Sequence, residues 1–555
     1  MSMKISLVAF NGRYTHSCLA LYYVRNELEH SVPDCFIALQ QLTINDPYYD
    51  TLLRLTGEDA EAIFFSVYIW NVFYVRRLIH DLFRIIPETP IILGGPEATN
   101  MGDQALPPNC TIVRGPIEGI STEFYDDLQG KRLQSEYGAD ITTGFGFPYR
   151  DEDFATTLQN RSVYYESSRG CPFSCTYCLS AIEKGVRHRE MESVKNDLEK
   201  ILQHNPKTLR FVDRTFNANP DRTLEIWKQL AEKSGDTLCH FEIAPDLFTD
   251  ALFSFLETMA PGRFQFEIGI QSTNPETLAA VQRPMDIEKA SAHIKRLVAL
   301  DSIHLHLDII LGLPFETEAT FKKSFNDVFA LFPHYIQMGL LKILPGTPIS
   351  QSVNEYEIIH CAQPPYEVLA TRWMDHETIS RLHVFGECVE AFLNNRFFRT
   401  TLQYVHDRQE DAFAFFSALV SVCEENNFFG LSKTQELMSR LLYELASQRP
   451  DRDLLHDLLR YDWLRCGHRF LPEHLENQDL RKVKDRMWQA MPEAFPPSYE
   501  NHTSRNEFFK RSVFAEFSSA ATTIAGLADK ETNGIVCFLP VRTAGVFQHQ
   551  RVIMV

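Results

Sequence analysis

A chain of 555 residues is too long for one hydrophobic core, because cores stop growing near ~250–300 residues, so three folding units are expected. With 44% hydrophobic residues and no low-complexity tract, the chain can offset its ordering entropy, which excludes an extended disordered protein. A formal charge of -19 excludes broad electrostatic attraction to nucleic acid or to an anionic membrane surface, and no apolar run approaches the ~18 residues of a membrane span.

The opening "MSMKISLVAFNGRYTHS" reads as a strand-like run and not as a secretory signal. Outside one cluster the cysteines are scattered singly, as reduced thiols are, and a cytoplasmic location is the expectation. From 1 to 130, short apolar runs ("KISLVAF", "CFIALQQL", "AIFFSVYIW", "PIILGGP", "CTIVRG") alternate with amphipathic stretches. That is the pattern of a doubly wound α/β domain, here with five parallel strands, and such sheets bind ligands at the carboxyl ends of their strands. The loops at those ends, "NGRY", "SVYIWN", "GGPE" and "RGPIEG", are rich in glycine, which lets backbone approach a ligand closely.

Residues 131–160 lose periodicity and read as a linker. From 161 to 355 a second βα series follows ("SVYYESSRG", "TLRFVDRTFN", "LCHFEIAP", "RFQFEIGIQS", "HLHLDIILGLP", "YIQMGLLKILPGT"), with helices near 190–204, 220–233, 249–258, 287–300 and 317–331. Polar residues collect at the strand ends, and no strand pair brings the count to eight, so a partial parallel barrel with its site on that rim is expected. The basic run "KGVRHRE" at 184–190 reads as a solvated helix face. From 356 to 555 helices dominate (366–395, 408–427, 433–448, 451–465), with a small strand pair at 534–547.

The chemistry lies in "ESSRGCPFSCTYC" at 166–178, where Cys171, Cys175 and Cys178 fall within eight positions after a strand. Zinc wants four protein ligands and no fourth stands at finger spacing, His188 being the nearest alternative. An iron-sulfur cube with three cysteines leaves one iron open to a small molecule.

In this loop and its strand context the sequence resembles the radical S-adenosylmethionine (SAM) enzymes, whose CxxxCxxC loop carries a 4Fe-4S cluster on a partial (β/α)6 barrel. The resemblance implies that the open iron chelates SAM and that an electron splits it to methionine and a 5′-deoxyadenosyl radical. It further implies Tyr177 near adenine, Asp213 and Arg214 near the SAM aminoacyl end, and Glu267, Gln271 and Ser272 of "EIGIQS" as the ribose motif. The second strand departs from the family pattern, carrying "VDRTF" where a GGE tripeptide is usual.

The α/β domain before the barrel, with "NGRYTHSCLALYYV", "SVYIWN", "GGPE", "FVDRTFN" and "EIGIQSTNPETL" and a helical tail, resembles the cobalamin-dependent radical SAM proteins that carry a DUF4080 C-terminal domain. That implies cobalamin at the sheet rim, with Ser66, Tyr68, Trp70, Asn71, Gly94, Gly95, Glu97 and Gly115 as contacts. No DxHxxG loop is present, which implies base-off binding without a protein histidine on cobalt. The implied activity is C-methylation of an unactivated carbon through methylcobalamin. The alternatives are a non-methylating radical rearrangement or redox reaction, and a non-enzymatic cobalamin or iron sensor. A flavodoxin or ferredoxin would supply electrons, and neither a membrane nor a nucleic acid is an expected partner.

Overall fold

The computed structural model describes residues 3–102, 106–181, 185–490, 504–527, 534–539 and 551–554. Two compact units divide the chain: Met1–Phe255 with Val281–Arg283 and Lys342–Val368, and Leu256–Ala280 with Pro284–Leu341 and Leu369–Val555.

The first unit opens with strands β1 (Lys4–Asn11), β2 (Phe36–Thr43), β3 (Ala62–Ser66), β4 (Ile91–Gly94), β5 (Cys110–Arg114) and β6 (Glu136–Gly138), in the order β2-β1-β3-β4-β5-β6. Every pair is parallel. β1 and β3 are buried on both faces, which is why their sequences are almost uninterrupted apolar runs. Helices Leu19–Ser31 and Thr122–Gln129 cover one face with Leu21, Leu28, Phe124 and Leu128, while Tyr48–Gly57 and Val72–Ile85 cover the other with Leu55, Val75, Leu78 and Leu82. The sheet has six strands where five were expected. The sixth falls in the stretch read as linker and is a three-residue "EYG" with only its tyrosine buried, so it carries no apolar run to announce it. A short helix, Asp151–Ala155, follows in the same stretch.

The same unit contains β7 (Val163–Tyr165), β8 (Ser168–Cys171), β9 (Gly185–His188), β10 (Thr208–Phe211) and β11 (Leu238–Glu242). β10 pairs in parallel with β7 on one side and β11 on the other. What reads in sequence as one strand, "SVYYESSRG", is two. The chain leaves the ladder at Ser167, whose amide donates to the Asp213 carboxylate, and β8 then pairs antiparallel with β9. The basic run therefore lies on a strand and not on a helix face, because Arg187 and His188 are in ladder register with Arg169 and Ser168; Lys184 lies outside the described residues. The helices Met191–Gln203 and Pro220–Lys233 fall where expected, the latter started by Pro220 at its first position and by Asn219 accepting from the Arg222 amide.

In the second unit β12 (Phe264–Gln271), β13 (His304–Leu311) and β14 (Tyr335–Leu340) run parallel. Burial alternates along β12 and β13, so Phe266, Ile268, Leu305 and Leu307 share an apolar face and Glu267, His306 and Asp308 share the opposite one. Helices Ile287–Leu300 and Glu318–Phe329 begin at the side-chain caps Asp286 and Thr317. The helix expected from 366 starts only at His376, where Asp375 accepts from the Thr378 amide; Val368–Ala370 of the expected stretch is a short strand. Helices 399–407, 412–425, 435–447 and 452–465 follow, and Phe325, Phe385, Phe413 and Phe416 meet in one aromatic cluster. Gly534–Leu539 is a strand, but its partners are Val513–Phe517 and Arg551–Met554, giving three antiparallel strands; residues 540–547 of the expected pair lie outside the described residues.

Candidate active site

β8 delivers Cys171 to the loop through Gly170, whose φ of +93° is open to glycine at little cost. The loop is pinned from two sides: the Thr176 amide donates to the Val281 carbonyl (3.0 Å), and the Thr176 carbonyl accepts from the Ile349 amide (3.0 Å). A turn from the Cys178 amide to the Cys175 carbonyl (3.1 Å) folds the last two cysteines back on each other. Cys175 is buried and Cys171 and Cys178 are half-buried. Nη1 of Arg283 lies 3.5 Å from both the Cys175 Sγ and the Tyr177 hydroxyl, setting a positive charge beside that sulfur. Among the described residues no three His, Cys, Asp or Glu side chains converge as a single ion would require; the ligands of a cube, each on a different iron, need not do so.

The end of β10 supports this loop. The Asp213 carboxylate accepts from the Ser167 amide (3.0 Å), the Ser167 hydroxyl (2.6 Å) and the Ser168 hydroxyl (2.5 Å). Burial pushes its pKa up to about 6, against the pull of those hydrogen bonds. Both oxygens are thus committed to the base of the cysteine strand. Arg214 is exposed and lies within electrostatic reach of Tyr68, and the Thr215 hydroxyl stands 3.5 Å from Cys171 Sγ. Asp213→Ala strands three donors, and is expected to cost about 1–3 kcal/mol in urea unfolding and to lower iron content after reconstitution; unchanged values for both would show that the clamp is dispensable.

At the rim of the first sheet, Ser66, Gly94, Gly95 and Gly115 line one cavity of about 180 Å³. A Cβ added at Gly94 would meet nothing within 4 Å, whereas at Gly95 (φ +104°) it would sit 2.6 Å from the Val67 carbonyl oxygen, so only the first leaves room for a guest. Tyr68 stacks on Trp70 with centroids 4.3 Å apart, and the half-exposed indole donates to the Phe10 carbonyl (3.2 Å). Asn71 is turned inward, donating to the Phe10 and Ser66 carbonyls and accepting from the Tyr68 amide, which ties the ends of β1 and β3 together. Glu97 is likewise buried and accepts from the Tyr366 hydroxyl.

In the second unit, Gln271 closes β12 at a register shift with φ +69°, a region costly for a residue with a side chain. Its Oε1 is buried without a hydrogen-bond partner among the described residues. The Ser272 hydroxyl donates to Oε1 of Glu316 (2.7 Å), a wholly buried carboxyl whose pKa burial pushes up to about 8. Glu267 shares its face with His306, whose Nε2 lies 2.9 Å from Asp308. Burial opposes the charged imidazole, yet Asp308 and Glu267 hold its pKa above the usual value. Thr215, Arg283 and Glu316 escaped the sequence reading, since each meets its partner, Cys171, Cys175 and Ser272 respectively, only through a fold contact at no recognisable spacing.

A three-cysteine loop on a parallel βα series is the arrangement expected of a radical SAM domain, and residues 165–328 match the family model described as the Radical SAM superfamily. Residues 354–538 match a second, described as "Protein of unknown function (DUF4080)". The chain therefore carries a radical SAM domain followed by a DUF4080 domain. It is 24% identical over 345 residues to the cobalamin-dependent radical SAM methyltransferase TokK of Streptomyces tokunonensis, covering 54% of this chain and 49% of that one. The chain spans about half the length of the curated relatives it matches. In fold it is similar to the cobalamin-dependent S-adenosylmethionine radical enzyme OxsB with aqua-cobalamin bound (TM-score 0.58, 13% identity, 91% of this chain and 82% of that one). It is also similar to the methyltransferase TsrM of Kitasatospora setae with cobalamin and a [4Fe-4S] cluster bound (TM-score 0.54, 16% identity, 66% and 82%). The cofactors of that class are SAM, a 4Fe-4S cluster and cobalamin. The residues present fit them: three sulfurs on one pinned loop, an unmet acceptor at Gln271, and a glycine-lined cavity on the sheet rim. No described helix is long and apolar enough to cross a membrane.

Proposed function

We propose that the chain is a B12-dependent radical SAM methyltransferase that methylates an unactivated carbon. When bound, the 4Fe-4S cluster cleaves SAM reductively to a 5′-deoxyadenosyl radical, and the cobalamin carries the methyl group. Cys171, Cys175 and Cys178 hold three irons and leave the fourth for SAM. Arg283 offsets the negative charge of the thiolates, and Asp213 clamps the strand that bears them. Tyr177 and Arg214 take the adenine and the carboxylate of SAM, while Glu267, Gln271 and Ser272 take its ribose. Ser66, Tyr68, Trp70, Gly94, Gly95 and Gly115 form the cobalamin rim, braced from behind by Asn71 and Glu97. Electrons come from a flavodoxin or ferredoxin, and the chain works as an α/β part (1–130), a linker (131–160), a barrel (161–355) and a helical part (356–555).

One observation carries this reading. Within one unit, consecutive residues after β10 meet the cysteine loop and the rim of the first sheet: the Thr215 hydroxyl lies 3.5 Å from Cys171 Sγ, and Arg214 is within electrostatic reach of Tyr68. A radical formed at such a junction attacks the nearest C–H bond, so the chain must fix donor and acceptor together and keep water out. Anaerobic incubation with reductant, SAM and hydroxocobalamin tests it. Both 5′-deoxyadenosine and S-adenosylhomocysteine are expected; 5′-deoxyadenosine alone would replace methyl transfer by a non-methylating radical reaction.

A further inference from the structure

The segment that joins the first sheet to the cysteine strand is fastened along its length. Beside the helix Leu19–Ser31, the Arg25 guanidinium forks onto the Asp153 carboxylate (2.5 and 2.8 Å) and donates to the Pro148 carbonyl (3.0 Å), and Asn26 donates to that carbonyl too (3.1 Å). The Tyr22 and Thr157 hydroxyls meet at 2.9 Å. Arg25 and Asp153 are both buried, so a slip of the segment along the helix would leave two charges unpaired away from water.

Arg161, two residues before β7, closes the attachment at its far end. Nη1 donates to the Tyr14 and His16 carbonyls, Nη2 donates to the Gln41 carbonyl (2.8 Å), and the Tyr14 ring lies 4.2 Å from the guanidinium. Next to it the Ser162 amide donates to the Thr15 carbonyl (2.7 Å), and the Ser17 hydroxyl donates to the Ser162 carbonyl (2.8 Å). The Tyr164 hydroxyl lies 2.5 Å from Nδ1 of His16. Residues 13–17, which follow β1 at the carboxyl end of the sheet, thus curl around a guanidinium that the chain supplies ten positions before Cys171. Its three acceptors are neutral carbonyls, so the group acts through the fixed geometry of its fork and not through charge pairing.

We propose that Arg161 is a positioning residue: by holding the loop after β1 to the strand that leads into the cysteines, it sets the separation between SAM and cobalamin. The assignment rests on the cofactor reading above. Methyl transfer from SAM to cobalamin needs that separation, because a misplacement of ~1 Å can cost about 10²-fold in rate. Reductive cleavage of SAM needs only the cluster. Loosening the loop should therefore slow the first reaction and spare the second.

Two measurements on Arg161→Met test it. Hydrogen exchange on the full chain free of cofactors should quicken about tenfold or more at residues 13–17 and at the Ser162 amide. In the loaded chain, reduced by titanium citrate, cob(I)alamin gives two electrons to the new cobalt–carbon bond while the methyl–sulfur bond of SAM breaks and leaves its pair on S-adenosylhomocysteine. The single-turnover rate of that step is expected to fall about tenfold or more. Iron content, cobalamin affinity, the SAM concentration at half-maximal rate and the rate of 5′-deoxyadenosine formation should stay unchanged. Tyr164→Phe removes only the contact to His16; it should shift the same rate in the same direction, and it serves if the arginine variant does not fold. An unchanged methyl-transfer rate, an equal fall in both reactions, or a loss of bound iron or cobalamin would overturn the assignment. An unaltered chain that takes up no cobalamin sinks the cofactor reading, and this inference with it.

Discussion

Cys175→Ala is expected to reduce iron and sulfide per chain to background and to abolish 5′-deoxyadenosine formation altogether. Cys175 is the most deeply buried of the three loop cysteines, and the loop around it is held by backbone bonds to Val281 and Ile349, so no neighbouring side chain can move in to replace its sulfur. Losing that sulfur also removes the group that lies 3.5 Å from Nη1 of the buried Arg283. A cube bound by two cysteines has two exposed irons and is lost to solvent in the course of purification. Iron and sulfide assays, the electron-paramagnetic spectrum of the reduced protein and chromatography of the SAM products read the outcome. Cys423→Ala provides the comparison: it is a buried thiol of the helical region with no proposed ligand role, and full iron loading is expected there. Should Cys175→Ala retain its iron and form as much 5′-deoxyadenosine as the unaltered chain, the cysteine loop would not be the cluster site.

Much of this arrangement is legible along the chain, because strands buried on both faces must be written as apolar runs and cluster ligands as closely spaced cysteines. β1, β3 and β4 of the first sheet, and the helices that start at Asn219, Asp286 and Thr317, announce themselves by run length and by cap. What stays illegible is decided by contacts between distant residues. The break at Ser167 exists only because Asp213, 46 residues away, takes its amide out of the ladder. Arg283 meets Cys175 across 108 positions, and Tyr366 meets Glu97 across 269. Asp213, Asn71 and Glu97 follow strand ends as expected but turn their polar atoms into the protein, which a residue type and a strand end cannot reveal. The sixth strand fails for the opposite reason: at three residues it has too little pattern to detect.

Glu316→Gln should abolish a pH dependence that the unaltered chain shows. The Glu316 carboxyl is fully buried, accepts from Ser272 (2.7 Å) and Ser324 (3.4 Å), and has an Oε2 with no partner among the described residues. With its pKa raised from 4.5 to about 8 by burial, it is a neutral acid at pH 7. The folded state therefore keeps a proton that the unfolded chain has already released, so stability from this group is complete below about 4.5, falls as pH rises, and is gone above about 8. Glutamine reproduces the neutral shape and has nothing to ionise. Thermal unfolding at pH 6 and pH 8.5 is expected to show a larger fall for the unaltered chain than for Glu316→Gln, by an amount worth a few kcal/mol. The same ionisation pulls on Ser272 and, through the Thr273 amide bonded to Ser324, on the turn that keeps Gln271 in its left-handed conformation. The SAM-induced change in the spectrum of the reduced cluster should thus weaken at pH 8.5 in the unaltered chain and persist in Glu316→Gln, while Glu316→Ala raises the SAM concentration needed about tenfold at either pH. Parallel pH curves for the glutamine variant and the unaltered chain would mean that this carboxyl neither titrates in the fold nor governs the turn that presents Gln271.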